Sequence, residues 1–449
     1  MKNSKQETYR LLKDAYNGSG GFEDGSYLVQ HPREDPEKYQ MRKSLAYYLN
    51  YTKPCVDARV KPIFKTLAVR DWKGTGSALW ESFLEDADMA GTRLMDFMER
   101  VASISSIQGV AFIVMDRLKE ANTEGTMASM KEDRRNLPYV LAIEPLDVKE
   151  IKVSRFGVIT KFVYEETDEA DDEKKAERTL TADGWELKNS RNEITKGTWN
   201  LGITPVIPVY SKLHDIQNPF PASDFLNIAQ TNRTIYNLCS WLTDILVNQT
   251  FSVLVYPSNN TDGLVLGTSN ALGFPSDASH MPTFIAPPDG PANILQGVIE
   301  RLQQEEYRMS GVVNVTGVRS QASGVAKAWD FEQTNELLSN FADRIENAEQ
   351  RISELFKRWM PVDLTYTVNY PNDYSISDVQ TELANADVAK GLLFGDAFNL
   401  EVFKRVLTSY LPELSNEQFD QQVKAYEEEL SKRTTADALD DNADNSGKA

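Results

Sequence analysis

The sequence predicts an α+β fold, and three observations predict it. Between residues 110 and 210, short runs rich in β-branched and aromatic residues alternate with turn signals. After Pro219-Phe220-Pro221 the periodicity changes to apolar residues three and four apart, the spacing of one helical face. The longest such pattern fills Val325 to Met360 and stops at Pro361.

Taken in order, the first segment, Met1 to Tyr9, is polar and lacks the apolar core of a secretory signal, so export is not expected. Asn17 to Gly25 and His31 to Pro36 read as loops, which makes residues 1–38 an arm and begins the folded body after it. From Tyr39 to Leu67 apolar residues recur at helical spacing, with Pro54 and Pro62 as expected kinks or breaks. From Gly76-Ser77 onward, Leu79, Trp80, Phe83, Leu84, Ala87, Ala90, Leu94, Phe97, Met98 and Val101 form one stripe and predict a single amphipathic helix. Strands are then predicted at Val110–Met115, Tyr139–Ile143, Val148–Val153, Val158–Tyr164, Trp185–Leu187 and Val206–Tyr210. The charge run Glu165 to Glu177 lacks the Gly-centred spacing of a calcium loop and reads as a solvated hairpin tip.

In the second regime, Ser223 or Asp224 caps a helix running to about Asn248, a rod of roughly 35–40 Å. Phe251 to Tyr256 reads as a strand. Beyond it a Gly-, Asn- and Pro-rich stretch to Pro288 holds only the short apolar pieces Leu264–Leu266 and Thr283–Ile285. Asp289 and Pro291 start a further helix to Gly311, Val312 to Gly324 is a loop, and the long helix follows. Leu364–Val368 reads as a strand, helical patterns fall around 379–393, 400–410 and 417–430, and Arg433 to Ala449 is too poor in apolar groups to order itself.

Composition narrows the function classes. The chain has 449 residues, 48 basic against 67 acidic, and a net charge of −19, a poor match for a protein that grips phosphates. No apolar run is long enough to span a membrane. Cys55 and Cys239 lie in unrelated contexts, and His31, His214 and His280 sit in separate turn-rich segments, so neither a disulfide framework nor a metal site is indicated. No phosphate loop, nucleophile elbow or zinc-protease helix is present, and Gly74-Thr75-Gly76 lacks the rest of a dinucleotide fingerprint. Paired carboxylates such as Glu305-Glu306 lie on what reads as a polar helix face. These readings imply no catalytic residue, metal or cofactor.

The order of α+β region, long helix, small β insert, second helix, Gly-containing loop, very long helix and helical C-terminal part resembles the portal (head–tail connector) proteins of tailed bacteriophages. The segment Tyr307 to Trp329, YRMSGVVNVTGVRSQASGVAKAW, is similar to that family's passage from stem through tunnel loop to its longest helix. The departure is the absence of any aromatic residue in the loop. The resemblance implies a wing at 39–222, stem helices at 223–249 and 291–311, and a clip at 250–290. It further implies a tunnel loop at 312–325, a long wing helix at 326–360, a crown at 361–432 and an acidic tail at 433–449. It implies a homo-oligomeric ring, a dodecamer in the family's mature form, at the capsid vertex of a virion assembled in the bacterial cytoplasm. Its partners would be terminase, a head–tail adaptor, and major capsid and scaffold proteins, with double-stranded DNA passing through and not specifically bound.

On this resemblance the channel loop is Val312, Val313, Asn314, Val315, Thr316, Gly317, Val318, Arg319, Ser320 and Gln321. Glu300, Glu305 and Glu306 on the second stem helix are spaced so that at least one faces the lumen as a ring of acids. The strand pieces of residues 251–288, too short for a sheet of their own, are expected to pair across neighbouring subunits. Two alternatives remain open at this point: another phage structural protein, such as a scaffold or tail component, and an enzyme of unassigned reaction.

Overall fold

A computed structural model describes residues 3–65, 67–118, 133–168, 171–250, 253–255, 283–285, 290–311, 324–372, 374, 395–411, 418–419 and 421–428. The chain divides into two units, Met1–Asn372 and Asp373–Ala449.

At the centre of the first unit is β2 (Val110–Asp116), buried at every position. A strand covered on both faces needs an unbroken apolar run, and VAFIVM supplies it. Its antiparallel neighbours are β3 (Tyr139–Ile143) and β9 (Val206–Tyr210), with Ile113 opposite Ala142 on one side and Ile207 on the other. A second sheet is an antiparallel meander of β4 (Val148–Val153), β5 (Ile159–Asp168), β6 (Asp171–Thr181), β7 (Gly184–Lys188) and β8 (Ile194–Thr198). One face of each sheet builds a shared core in which Phe112, Val114, Val148, Phe162, Tyr164 and Leu180 meet, with the Phe112 and Phe162 rings 5.1 Å apart.

A helical layer covers β2 through α5 (Leu94–Gln108), which packs in turn on α1 (Asn3–Asn17) and α3 (Thr52–Lys65). The short α2 (Pro36–Leu45) is capped by Asp35, whose carboxylate accepts from the Glu37 amide at 2.9 Å. Next come β1 (Val69–Lys73), α4 (Ser77–Glu85), α6 (Leu226–Thr250) and the strand pair β10 (Val253–Val255) and β11 (Thr283–Ile285). They are followed by α7 (Gly290–Ser310), α8 (Gly324–Trp359) and β12 (Thr365–Asn369).

On α8, Leu338, Phe341, Ile345, Ile352, Leu355 and Phe356 are buried, as their three-and-four spacing requires. Phe356 meets Trp80 and Phe83 of α4 at 5.0 and 5.2 Å, and Trp80 meets Tyr366 of β12 at 4.8 Å. Beneath this cluster Glu349, fully buried on α8, receives two guanidinium hydrogen bonds from Arg70 of β1 at 2.7 and 3.0 Å. The hydroxyls of Tyr366 and Tyr370 donate to the same carboxylate. Burial and then Glu349 push both phenols upward in pKa. Burial alone would lower that of Arg70, yet its bonds to Glu349 leave it raised.

In the second unit the described elements are α9 (Asp396–Tyr410) and helical residues within 418–428, with the Phe403 and Tyr426 rings stacked at 4.1 Å.

Five sequence expectations are corrected. The arm is not a loop leading to a body: α1 is a helix with Tyr9, Leu11, Leu12 and Ala15 buried against its neighbours. The stripe from Leu79 to Val101 is two helices, because residues 86–93 turn. Asp86 accepts from the Gly91 amide and Asp88 from those of Ala90 and Thr92, while Met89 and Gly91 take φ of 64° and 83°. Apolar spacing continues across the break, which is why periodicity alone reads through it. Residues 165–177 form the end of the β5–β6 hairpin, but most of the run is paired strand and not open turn, with Glu165 opposite Glu177 and Asp168 opposite Asp171. Opposite charges across the strands, Glu166–Arg178 and Glu165–Lys175, stabilise that charged ladder. The helix at 52–65 runs through Pro62 without ending. Finally, the strand pieces of residues 251–288, expected to be too short to pair within one subunit, do form a pair inside the chain, β10 with β11, Val253 opposite Ile285.

Candidate functional site

The feature with the strongest functional content is the helical hairpin of α6 and α7. It begins at Ser223, whose hydroxyl accepts from the Phe225 amide at 3.0 Å and donates to the Ile107 carbonyl at 2.6 Å, tying the helix entry to the end of α5. The first half of α6 is embedded: Ile228, Ala229, Ile235, Tyr236 and Cys239 are buried. The second half is only partly covered, and Leu246 is 50% exposed. The β10–β11 pair joins the far ends, and α7 returns packed along α6.

Asn232 locks the embedded end. It is fully buried on α6, and its side-chain oxygen accepts from the Tyr48 hydroxyl at 2.6 Å, the Tyr51 and Thr52 amides at 3.2 Å each, and the Thr52 hydroxyl at 3.0 Å. Its amide nitrogen donates to the Leu49 carbonyl at 2.8 Å. The long helix thus caps the N-terminus of α3 with a side chain borrowed from 180 residues away.

Helical periodicity divides α7 into three faces. Leu295, Ile299, Leu302, Glu306 and Ser310 form the less exposed seam. Asn293, Gln296, Glu300 and Gln304 form an exposed polar face, on which Gln296 donates to Glu300 at 3.1 Å. Between them runs an apolar flank in which Ile294 is 68% exposed and Val298 and Met309 are also exposed.

The three acids singled out from sequence are therefore separated. Glu300 is exposed on the polar face, and Glu305, half-buried on the apolar flank, pairs with Arg308 at 2.7 Å. Glu306 lies inside, with no hydrogen-bond partner for either carboxylate oxygen among the described residues. Burial pushes its pKa up to about 8. Glu306 is thus withdrawn from the accessible set, because its helix position falls on the seam. Val312 through Gln321 lie outside the described residues, as do His280 and most of residues 250–290. His31 is exposed and His214 lies against Tyr210 with ring centroids 3.6 Å apart. Among the described residues no group of His, Cys, Asp and Glu is arranged to hold a metal, and no helix is long and apolar enough to cross a membrane.

Sequence reasoning missed Asn232 and Glu349. The available signal is a polar residue on an apolar stripe: Asn232 falls between Ile228 and Ile235, and Glu349 between Ile345 and Ile352.

No protein-family model and no curated protein sequence matches the chain. Among solved structures it is similar to a chain from the neck of an empty gene transfer agent particle computed with C6 symmetry, at 8% identity over 83% of this chain and 94% of that one, TM-score 0.45. It is similar to a chain of the native gene transfer agent virion, at 9% identity over 88% and 93%, TM-score 0.44. It is also similar to a chain from the native neck computed with C12 symmetry, at 10% identity over 86% and 98%, TM-score 0.46.

Proposed function

We propose that this chain is the ring-forming subunit of a portal-type channel at the capsid vertex of a phage-like particle, through which double-stranded DNA enters and leaves. The observation that carries the reading is the α6, β10–β11, α7 hairpin, rooted by Asn232 in an α+β body and followed by the 36-residue α8. In this reading 39–222 is the wing, to which α1 adds a helix, α6 and α7 are the stem, and 250–290 is the clip. Residues 312–325 are the tunnel loop, 326–360 the long wing helix, and 361–432 the crown.

The faces of α7 support the assignment. An amphipathic rod with one polar and one exposed apolar flank satisfies both in a ring, where Ile294 and Val298 turn to a neighbouring copy while Asn293, Gln296, Glu300 and Gln304 turn to the channel. Neutral amides and a carboxylate offer a polyanion no positive charge, in keeping with the net charge of −19. The role is structural and non-enzymatic, uses no cofactor, and has terminase, an adaptor, and capsid and scaffold proteins as partners.

Negative-stain images of the purified chain test this directly. Closed rings with an axial hole are expected, and compact monomers in every condition overturn the reading. A finer test concerns the channel lining. Unmodified rings are expected to have negligible affinity for duplex DNA at moderate salt. Glu300→Lys rings are expected to bind it, with affinity falling roughly tenfold or more from about 50 to about 200 mM salt. Equal, absent binding by both ring types in a filter-retention assay means that Glu300 does not line the channel.

A further inference from the structure

Glu306 is the most anomalous group in the described molecule. It sits near the end of α7, fully buried, with both oxygens unpartnered. The groups facing it are neutral at ordinary pH: Tyr48 and Tyr51 from the segment before α3, Cys55 from α3 itself, and Tyr307 beside it on α7. Each of these is made harder to ionise by the carboxylate, and the Cys55 thiol is pushed up to about 12, by burial first. From α6 the adjoining titratable group is Cys239, which faces Tyr51 and is raised by burial. From α8 the residues at this junction are Thr334, whose hydroxyl donates to the Gly311 carbonyl at 2.9 Å, and Leu337. Among the described residues no lysine, arginine or histidine acts on Glu306, and the influence on its carboxyl is burial.

A carboxyl in such a setting tolerates burial as the neutral acid and resists it as the anion. The route to water is short in conformational terms. Immediately after α7, Gly311 takes a left-handed φ of 70°, the helix-ending conformation that glycine favours, so the chain changes direction there. The contact to be broken is the packing of the last turns of α7 on α3.

We infer that Glu306 is a proton-dependent latch: the neutral acid holds the end of α7 against α3, and loss of the proton frees that end to turn about Gly311. The inference stands on helix packing inside one chain and does not depend on the ring reading. If that reading holds as well, the latch sets how firmly each stem rod is clamped to its wing.

The sign follows from linkage. The closed state keeps a proton that the open state releases at the ordinary carboxyl value, so closure is fully favoured below about 4.5 and weakens as pH rises toward about 8, beyond which it changes no further. Opening is therefore expected to grow up to about tenfold per pH unit across that window.

The test is amide hydrogen exchange of the full-length protein from about pH 5.5 to 9, corrected for the intrinsic pH dependence, in peptides covering 299–311 and 48–56. The unmodified chain is expected to lose protection in both peptides as pH rises to about 8 and then to level off. Glu306→Gln, which cannot ionise, is expected to have a flat profile. Glu306→Leu serves the same purpose with no polar atom, should the amide impair folding. Flat, protected profiles in the unmodified chain overturn the latch. The same pH-dependent loss in the Gln or Leu variant also overturns it, by assigning the titration to another group.

Discussion

Glu349→Ala is expected to destabilise the first unit by roughly 3–5 kcal/mol, the cost of breaking a buried pair by removing one partner. The substitution leaves the Arg70 guanidinium, itself largely covered, with no counter-charge, and strips the acceptor from the hydroxyls of Tyr366 and Tyr370. It also weakens the hold of α8 on the β1–β12 pair, which is otherwise anchored by the aromatic cluster around Trp80 and Phe356 and by the hydrogen bonds of Gln350 and Glu346 to Tyr366 and Tyr370. Denaturant midpoints with an unchanged slope measure the loss. A double variant, Glu349→Leu with Arg70→Met, is expected to recover much of it, since the buried charge disappears with its partner. A loss below about 1 kcal/mol in the single variant would assign the network to the range of exposed pairs.

Asn232→Ala is expected to be the other large effect, at roughly 2–4 kcal/mol, because it leaves the Thr52 amide and hydroxyl without their acceptor in a buried setting and reduces the Tyr51 amide and the Leu49 carbonyl to the bond they make with each other. Its signature differs from that of a core cavity. Loss of the cap frays the first turn of α3, so amide protection around residues 50–55 should fall before the rest of the body unfolds. Asn232→Asp preserves the acceptor oxygen and loses the donor to Leu49.

These two residues also mark the limit of what the chain discloses before it is folded. The sheet strands at 139–143, 148–153 and 206–210 and the helices at 226–250, 290–310 and 324–359 are legible because partial burial writes a pattern into the sequence, and the strand at 110–116 because burial on both faces demands an unbroken apolar run. Strands β1 and β8 are not, since their residues are mostly exposed and carry no alternating apolar signal. The break at 86–93 is hidden for the opposite reason: its turn is made by aspartates and Gly91, while the apolar spacing on either side stays in phase. Of the candidate site, the rods and their order are legible. Which face of α7 is covered is not, because Glu306 is a charged residue at a seam position, and composition assigns such residues to the surface.

The pairing of β1 with β12 sets a timetable for synthesis. Val69 lies opposite Asn369, 300 residues later, so β1 leaves the ribosome with no partner strand in existence. At about 5–20 residues per second the wait is roughly 15–60 s, during which an exposed strand edge is open to other chains. Two of its five residues, Arg70 and Lys73, are cations, and Asp71 lies between them, the kind of charge that discourages edge-to-edge association. The body therefore closes last where its chain began early, and nascent chains truncated before residue 365 are expected to lack that closure.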